Sequence, residues 1–99
     1  MQSEEFCVYI MASISGTLYI GSTIDIVGRV SMHKANTMPG FSSKYRCHKL
    51  VYYEKYAELS EARAREYQIK SWRREKKERL IAGQNPTWCD LARFWDRYS

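Results

Sequence analysis

Four side chains suited to phosphate chemistry lie between positions 9 and 33: Tyr9, Tyr19, Arg29 and His33. A phenol can relay a proton, a guanidinium binds phosphate oxygens, and an imidazole titrates near neutral pH. The tyrosines are ten residues apart, and the arginine and the histidine are four residues apart. If the fold brings these groups together, the chemistry they indicate is that of a phosphate group.

The tyrosines share a site only if the hairpin that carries them has one particular register. Residues 6–13 alternate like a strand that is covered on both faces, and residues 17–21 have the composition of the return strand. A three-residue loop between them pairs Tyr9 with Gly21 and puts Tyr19 on the same face. A two-residue loop shifts the register by one and puts the tyrosines on opposite faces. A shared site therefore requires the three-residue loop.

Arg29 and His33 fall on the next predicted element, a helix over Ile26–Ala35 that Thr23 or Asp25 caps. Residues four apart are neighbours on a helix surface, so this pair borders the buried stripe. The helix is therefore expected to present both side chains to the tyrosines.

The following segments complete the predicted sheet and begin its helical cover. Asn36–Tyr45 is polar and is a candidate loop for contacting a substrate. Lys49–Tyr56 is rich in β-formers and is the predicted third strand. Ser60 is the predicted N-cap of the second helix.

A carboxylate interrupts the apolar stripe of that second helix, because Ala62, Glu66 and Ile69 follow the i, i+4, i+7 spacing. Burying a carboxylate is costly unless it is paired or coordinates a cation. Spacing alone leaves two interpretations open. Glu66 either leans outward to pair with Arg63 or Lys70, or it is a metal ligand.

The positive charge of the chain is concentrated in one segment. Residues 63–79 contain eight basic and three acidic side chains, a local charge of +5 within a chain whose net charge is +5. A clustered basic face is typical of a polyanion binder, whereas a solvated helix with pairs such as Arg74–Glu78 is the alternative. A basic helix is predicted over residues 73–82, ending at Gly83.

The last predicted element is an aromatic helix over residues 86–98, with Asn85 as its cap and Pro86 as its first residue. Its apolar face would contain Trp88, Leu91, Phe94, Trp95 and Tyr98.

Taken together, these motifs resemble the GIY-YIG nuclease family, in its small stand-alone bacterial form. The resemblance rests on Tyr9, the Tyr-Ile-Gly at 19–21, Arg29, His33, Glu66 and the Asn-Pro-x-Trp at 85–88. The first tripeptide here is Val-Tyr-Ile rather than Gly-Ile-Tyr. The resemblance covers about residues 6–90. It implies an α+β fold, a small three-stranded antiparallel sheet flanked by helices, in a single domain over residues 1–99.

The resemblance also implies an active site made of Tyr9, Tyr19, Arg29, His33, Glu66 and Asn85. Glu66 would hold one divalent cation, Mg²⁺ with Mn²⁺ as a substitute, because Mg²⁺ keeps most of its waters and needs few protein ligands. Arg29 would neutralise charge on the phosphate, Tyr9 beside His33 would activate water, and Tyr19 would help to orient it. The basic residues expected to hold nucleic acid are Lys44, Arg46, Lys70, Arg73, Arg74, Lys76 and Lys77.

The implied function is Mg²⁺-dependent endonucleolytic hydrolysis of DNA in repair, recombination or DNA processing, on single-stranded or branched substrates. DNA is favoured over RNA, and a partner protein is one source of specificity. The alternative is a nucleic-acid-binding module that keeps the fold but cleaves weakly or not at all. A protein-interaction domain is favoured only if Trp88, Phe94 and Trp95 are exposed.

Composition agrees with a small cytoplasmic protein. Hydrophobic residues make up 44% and aromatic residues 14%, enough for a core without metal or disulfide cross-links. Cys7, Cys47 and Cys89 match neither a disulfide framework nor a zinc pattern, so reduced thiols are expected. No apolar run approaches the roughly 20 residues of a membrane span, and a signal sequence is not evident.

Overall fold

The centre of the fold is a three-stranded antiparallel sheet in a computed structural model that describes residues 5–37 and 44–95. The strands, in the spatial order β2-β1-β3, are β1 (Phe6–Ala12), β2 (Leu18–Thr23) and β3 (Lys49–Tyr56). The helices are α1 (Ile26–Lys34), α2 (Leu59–Lys70) and α3 (Arg74–Gln84). The predicted α+β architecture is confirmed.

The central strand β1 is buried on both faces, as its apolar alternation predicts. Val8 and Ile10 point to one face, where α2 and α3 pack over them. Tyr9 and Met11 point to the other face, which α1 and the segment 91–95 cover. We call this second side of the sheet the tyrosine face.

The hairpin has the register that a shared tyrosine site requires. Tyr9 pairs with Gly21, and Tyr19 pairs with Met11. A backbone hydrogen bond of 2.9 Å from Ser13 N to Thr17 O closes the three-residue loop. The three-residue loop is therefore confirmed, although β2 begins at Leu18 rather than at position 17.

Asp25 rather than Thr23 caps α1. Its carboxylate accepts a 3.0 Å hydrogen bond from Gly28 N, and the Thr23 hydroxyl accepts one of 3.0 Å from Asp25 N. The helix therefore begins at Ile26, as predicted, and it ends at Lys34. This start fixes the direction in which the side chains of the last two turns point.

Two helix boundaries differ from the prediction. Ser60 is not the N-cap of α2, because the helix already begins at Leu59 and the cap position, Glu58, makes no side-chain cap hydrogen bond. Gly83 does not end α3, because its φ is not positive and the helix continues to Gln84.

The predicted aromatic helix after Asn85 is wrong, because residues 85–95 form turns that are bonded to β3. The Asn85 amide donates to the carbonyl of Val51 at 3.0 Å. The Asp90 carboxylate accepts from Leu50 N at 3.1 Å, and Leu91 N donates to the Leu50 carbonyl at 2.8 Å. These bonds hold the segment against the sheet edge. Residues 96–98 of that prediction, and 38–43 of the predicted loop, lie outside the described residues.

The aromatic side chains of this segment divide between the two cores. Trp88 packs against the α2–α3 side and Trp95 against the tyrosine face, while Phe94 is about half exposed. Within residues 85–95, the exposed aromatic surface that a protein-interaction domain would need is therefore not present.

Cys7, Cys47 and Cys89 are free thiols, as expected. Within residues 5–37 and 44–95, no helix is both long and apolar enough to cross a membrane.

Candidate active site

Three of the predicted site residues form one cluster on the tyrosine face. The Tyr9 hydroxyl and His33 Nε2 are 2.9 Å apart, and both residues are fully buried. The Tyr19 ring lies against both of them, with centroid distances of 6.1 Å to Tyr9 and 4.8 Å to His33. The hairpin register and the last turn of α1 together create this cluster from residues far apart in the chain.

Gly21 makes room for the two phenol rings. A Cβ at this position would lie 2.8 Å from the Tyr9 hydroxyl oxygen and 3.0 Å from Cε1 of Tyr19. Neither ring can move freely, because Tyr9 is enclosed in the core and Tyr19 packs on His33. The glycine of the Tyr-Ile-Gly motif therefore has a packing reason specific to this site.

Arg29 sits one turn before His33 on α1 and is half-buried. Burial raises the pKa of Tyr9 above its ordinary value, Tyr19 adds to this increase, and Arg29 opposes it. Burial lowers the pKa of His33 to about 4, and the positive charges of Arg29 and His48 act in the same direction. The cluster at neutral pH is therefore a protonated phenol beside an uncharged imidazole.

These protonation states define what the pair can do. When the neutral imidazole carries its proton on Nδ1, Nε2 is an acceptor and the Tyr9 O–H donates to it. In that arrangement Tyr9 can accept a proton from a bound water while it gives its own proton to His33. Tyr9 alone is a poor base, because the raised pKa disfavours its phenolate.

Glu66 lies on the opposite side of β2 from the tyrosines. Its carboxylate accepts a 2.5 Å hydrogen bond from Ser22 and pairs with the Lys70 ammonium at 2.6 Å. As a metal ligand of the active site, Glu66 is expected to point into a cleft with the tyrosines and Arg29 and not toward Lys70, and this expectation is wrong. The outward ion pair, the other interpretation that the spacing left open, is the one observed in the structure.

A shallow groove along the outer edge of β2 connects the tyrosine side of this strand with the side that carries Glu66. It has a volume of about 290 Å³ and is lined by Leu18, Tyr19, Ile20 and Lys70. Since β2 is an edge strand, one side chain from the cluster and the Lys70 ammonium line the same groove. A phosphate bound at this edge would have access to the tyrosine side and to the Glu66 side of β2.

A metal ion at this site would have few protein ligands. Within residues 5–37 and 44–95, no group of three or more His, Cys, Asp or Glu side chains could hold a metal. One carboxylate suits Mg²⁺ that keeps several waters and binds a phosphate oxygen. The donor set fits such an ion if Lys70, whose side chain is 52% exposed, moves away from Glu66.

Asn85 is not part of the tyrosine cluster. It is buried, and its amide binds the carbonyls of Val51 and Cys89 at 3.0 and 2.8 Å. Val51 belongs to β3, and β1 separates that strand from β2. These contacts show that Asn85 holds the turn after α3 against the sheet.

The basic residues expected to hold nucleic acid have different surroundings. Arg74 is bonded internally, to the Gly16 carbonyl at 2.6 Å and to Glu78 at 2.8 Å. Arg73 is exposed, and the Lys76 ammonium lies 4.4 Å from the Trp72 ring centroid. A cleft of about 460 Å³ at the start of α3 is lined by Arg73, Lys76, Arg79 and the Trp72 ring, among others.

The other predicted contacts lie elsewhere. Lys77 is half-buried on α3, Lys70 pairs with Glu66, and Lys44 and Arg46 are exposed in the segment before β3. The basic residues therefore form more than one surface.

Sequence reasoning missed Ser22, which holds Glu66 in place. Ser22 follows Gly21, so strand alternation turns it toward α2 while Gly21 faces the tyrosines. Ser22 directly follows the Tyr-Ile-Gly motif, but its role can be recognised only once α2 is known to lie beside β2.

Comparisons with known proteins identify a matching family and a matching fold. The sequence profile of the GIY-YIG catalytic domain matches residues 5–79. Proteins named UPF0213 from Staphylococcus aureus strains Mu3 and MW2 are each 42% identical over 74 residues, which is 75% of this chain and 90% of theirs. The solution structure of UPF0213 protein BH0048 from Bacillus halodurans superposes with a TM-score of 0.57 at 26% identity. The superposition covers 85% of this chain and 89% of the BH0048 chain.

Proposed function

Because the chain belongs to the GIY-YIG catalytic domain family, a nuclease-type domain, we propose that it hydrolyses phosphodiester bonds in DNA with the help of one divalent cation. The observation that carries the proposal is the buried Tyr9–His33 hydrogen bond of 2.9 Å with Tyr19 packed against both rings. An uncharged imidazole held against a phenol can accept a proton that water gives up to the phenol.

In the proposed reaction, a water beside Tyr9 attacks the phosphorus, and the P–O bond to one sugar oxygen breaks. That oxygen leaves with the bonding electron pair and takes up a proton from solvent. The water gives a proton to the Tyr9 oxygen, and Tyr9 passes its own proton to Nε2 of His33, so the imidazole becomes cationic. Arg29, half-buried one turn earlier, neutralises charge that develops on the phosphate oxygens. Tyr19 orients the water from the other side of Tyr9.

Glu66 is the proposed ligand for the cation, with Mg²⁺ as the expected ion and Mn²⁺ as a substitute. When bound, the ion would supply charge neutralisation at the phosphate. Ser22 holds one oxygen of the Glu66 carboxylate at 2.5 Å, which keeps the group at the edge of β2. The exposed Lys70 ammonium occupies the other oxygen and would have to be displaced.

The alternative function is a nucleic-acid-binding module with little or no cleavage. The Glu66–Lys70 pair favours it, because an ammonium already neutralises the one carboxylate proposed as ligand. The intact Tyr9–His33–Tyr19 cluster favours hydrolysis, since binding alone needs no buried phenol–imidazole pair.

A cleavage panel separates the two functions. Labelled single strands, duplexes, flaps and four-way junctions of related sequence, with a matched RNA single strand, are incubated with Mg²⁺, Mn²⁺ or EDTA. We expect cleavage of DNA with either metal and none with EDTA. Binding without cleavage of any substrate in either metal would contradict the proposal and support the binding module.

A further inference from the structure

A second and larger cleft lies at the hairpin-loop end of the sheet. It has a volume of about 720 Å³, within the range of small-molecule binding sites. Its walls come from the loop after β1, the last turn of α1 and the segment that leads into β3. It contains none of the residues of the tyrosine cluster.

Two large apolar side chains line this cleft and remain exposed to solvent. Ile14, at the tip of the hairpin loop, is 99% exposed, and Tyr45 is 42% exposed. A single exposed apolar residue needs no explanation, but two in the wall of one concave surface indicate a surface that binds something. An aromatic ring and an aliphatic side chain that line one cleft suit a planar ligand.

The cleft also carries positive charge. Lys34 and Asp90 form an ion pair there and balance each other. Arg46 and Lys49 line the same cleft, and the Lys49 ammonium donates a 3.2 Å hydrogen bond to the Trp88 carbonyl, a partner that carries no charge. The planar surface is therefore combined with an excess of about two positive charges, which suits an anion attached to a ring.

The cleft begins next to the candidate active site. His33 closes the tyrosine cluster, and Lys34, the next residue of α1, lines the cleft. His48 also lines the cleft, and its charge is close enough to act on His33. A chain of nucleotides that passes the tyrosine cluster would reach the cleft within a short distance.

We propose that this cleft binds an unpaired nucleotide of the substrate strand that flanks the scissile phosphodiester. The base stacks on Tyr45 and Ile14, and its phosphate lies near Arg46 and Lys49. The occupant is unpaired because only an unstacked base exposes its ring faces, and stacking on aromatic side chains tolerates any base. This inference rests on the proposed nuclease function.

The test measures binding in EDTA, where cleavage does not occur. Fluorescence anisotropy follows a labelled octamer of deoxythymidylate and a blunt duplex of the same length. Tyr45→Ala should weaken single-strand binding about tenfold, the loss expected for one stacked base, and should leave duplex binding unchanged. Arg46→Gln should weaken binding and flatten the salt slope of the single strand by about 0.7.

Matched controls come from α2. Tyr67 is 79% exposed, and Arg63 is exposed on the same helix. Tyr67→Ala and Arg63→Gln should bind the octamer like the wild type. If Tyr45→Ala leaves single-strand binding unchanged, or if Tyr67→Ala weakens it equally, the cleft proposal is wrong.

An abasic nucleotide tests the stacking contact directly. Moved through the octamer one position at a time, it should weaken wild-type binding at one position and have no further effect there in Tyr45→Ala. If the effects of the abasic nucleotide and of Tyr45→Ala on the binding free energy add fully at every position, the proposed contact is wrong.

A parallel cleavage assay with Mg²⁺ distinguishes the two claims. If Tyr45→Ala binds normally while the wild type cleaves DNA, the cleft proposal fails and the nuclease function stands. If single-strand binding depends on Tyr45 but nothing is cleaved, the nuclease function fails and the cleft remains a binding site for unpaired nucleotides.

Discussion

The Tyr9 hydroxyl lies 2.9 Å from Nε2 of His33, and both groups are buried between the sheet and α1. The two residues are 24 positions apart, so the hairpin register and the cap of α1 must both be right for them to meet. Burial keeps the imidazole uncharged and the phenol protonated at neutral pH, because it lowers the pKa of His33 and raises that of Tyr9.

Gly21→Ala tests the packing of the two tyrosines. The added methyl group would lie 2.8 Å from the Tyr9 oxygen, so the Tyr9 ring must shift and its hydrogen bond to His33 is disturbed. We expect cleavage to fall at least tenfold and the free energy of unfolding to fall by about 1–3 kcal/mol. Gly83→Ala is the matched control. A Cβ there meets nothing within 4 Å in helix α3, so stability should rise by up to about 1 kcal/mol with normal activity. Unchanged activity in Gly21→Ala would contradict the packing argument.

The low pKa of His33 predicts a dependence of stability on pH. The unfolded chain binds a proton near pH 6.5, whereas the folded chain resists it until about pH 4. Stability is therefore complete above pH 6.5 and falls as the pH decreases, because the unfolded state gains the proton first. Between pH 6.5 and 5 we expect a loss on the order of 2 kcal/mol, measured by urea unfolding.

Substitution of each histidine shows which of the two causes the loss of stability between pH 6.5 and 5. His33→Gln should remove the decline between pH 6.5 and 5, while His48→Gln, at the half-buried second histidine, should keep it. The carboxylates Glu54 and Asp90 have lowered pKa values, so their stabilisation is lost only at more acidic pH. A decline that persists in His33→Gln would show that another group is responsible.

Lys70→Met tests whether the ammonium competes with a cation for Glu66. The pair is partly exposed, so its loss should tighten Mn²⁺ binding by about two- to fivefold. Mn²⁺ electron paramagnetic resonance measures this without turnover. Glu66→Gln should abolish the same signal, and Arg74→Met, which removes the exposed i,i+4 pair with Glu78, should leave Mn²⁺ affinity unchanged. Equal affinity in wild type and Lys70→Met would argue against competition.

The start of α3 is expected to hold the nucleic-acid backbone. Arg73 and Lys76 line one cleft with Trp72, so replacing both with Ala should flatten the single-strand salt slope by about 1.4 units. Turnover at saturating substrate should change little, because a uniform loss of binding spares kcat. The control pair Lys55→Ala/Arg63→Ala removes the same charge elsewhere on the surface. If the Arg73/Lys76 variant keeps the salt slope of the wild type, this surface faces solvent and does not contact the nucleic-acid backbone.

Periodicity predicted the sheet and the position of α1, because β1 alternates. The loop length, and with it the register, stayed open in the sequence, and only the requirement for a shared tyrosine site favoured the three-residue loop that is observed. The family resemblance identified Glu66 as a metal ligand. The sequence did not decide which residue pairs with its carboxylate, because Lys70 and Arg63 are both one turn away. The final helix was predicted wrongly because Asn85 before Pro86 is a good local capping signal, whereas nothing local indicates other partners for Asn85 and Asp90. In the fold these side chains bind the backbone of β3 instead, a long-range contact that no local pattern reveals.

The most direct test of the active site is a single-turnover cleavage assay at saturating DNA with Mg²⁺. Tyr9→Phe removes only the hydroxyl that reaches His33, and Glu66→Gln removes only the charge of the proposed ligand. Tyr52→Phe, which removes a buried hydroxyl bonded to Glu54 on the other face, is the control. We predict that Tyr9→Phe lowers the rate by about a hundredfold or more and that Glu66→Gln lowers it further, with DNA affinity unchanged within about threefold. A wild-type cleavage rate in either variant would contradict the assignment of this cluster as the active site.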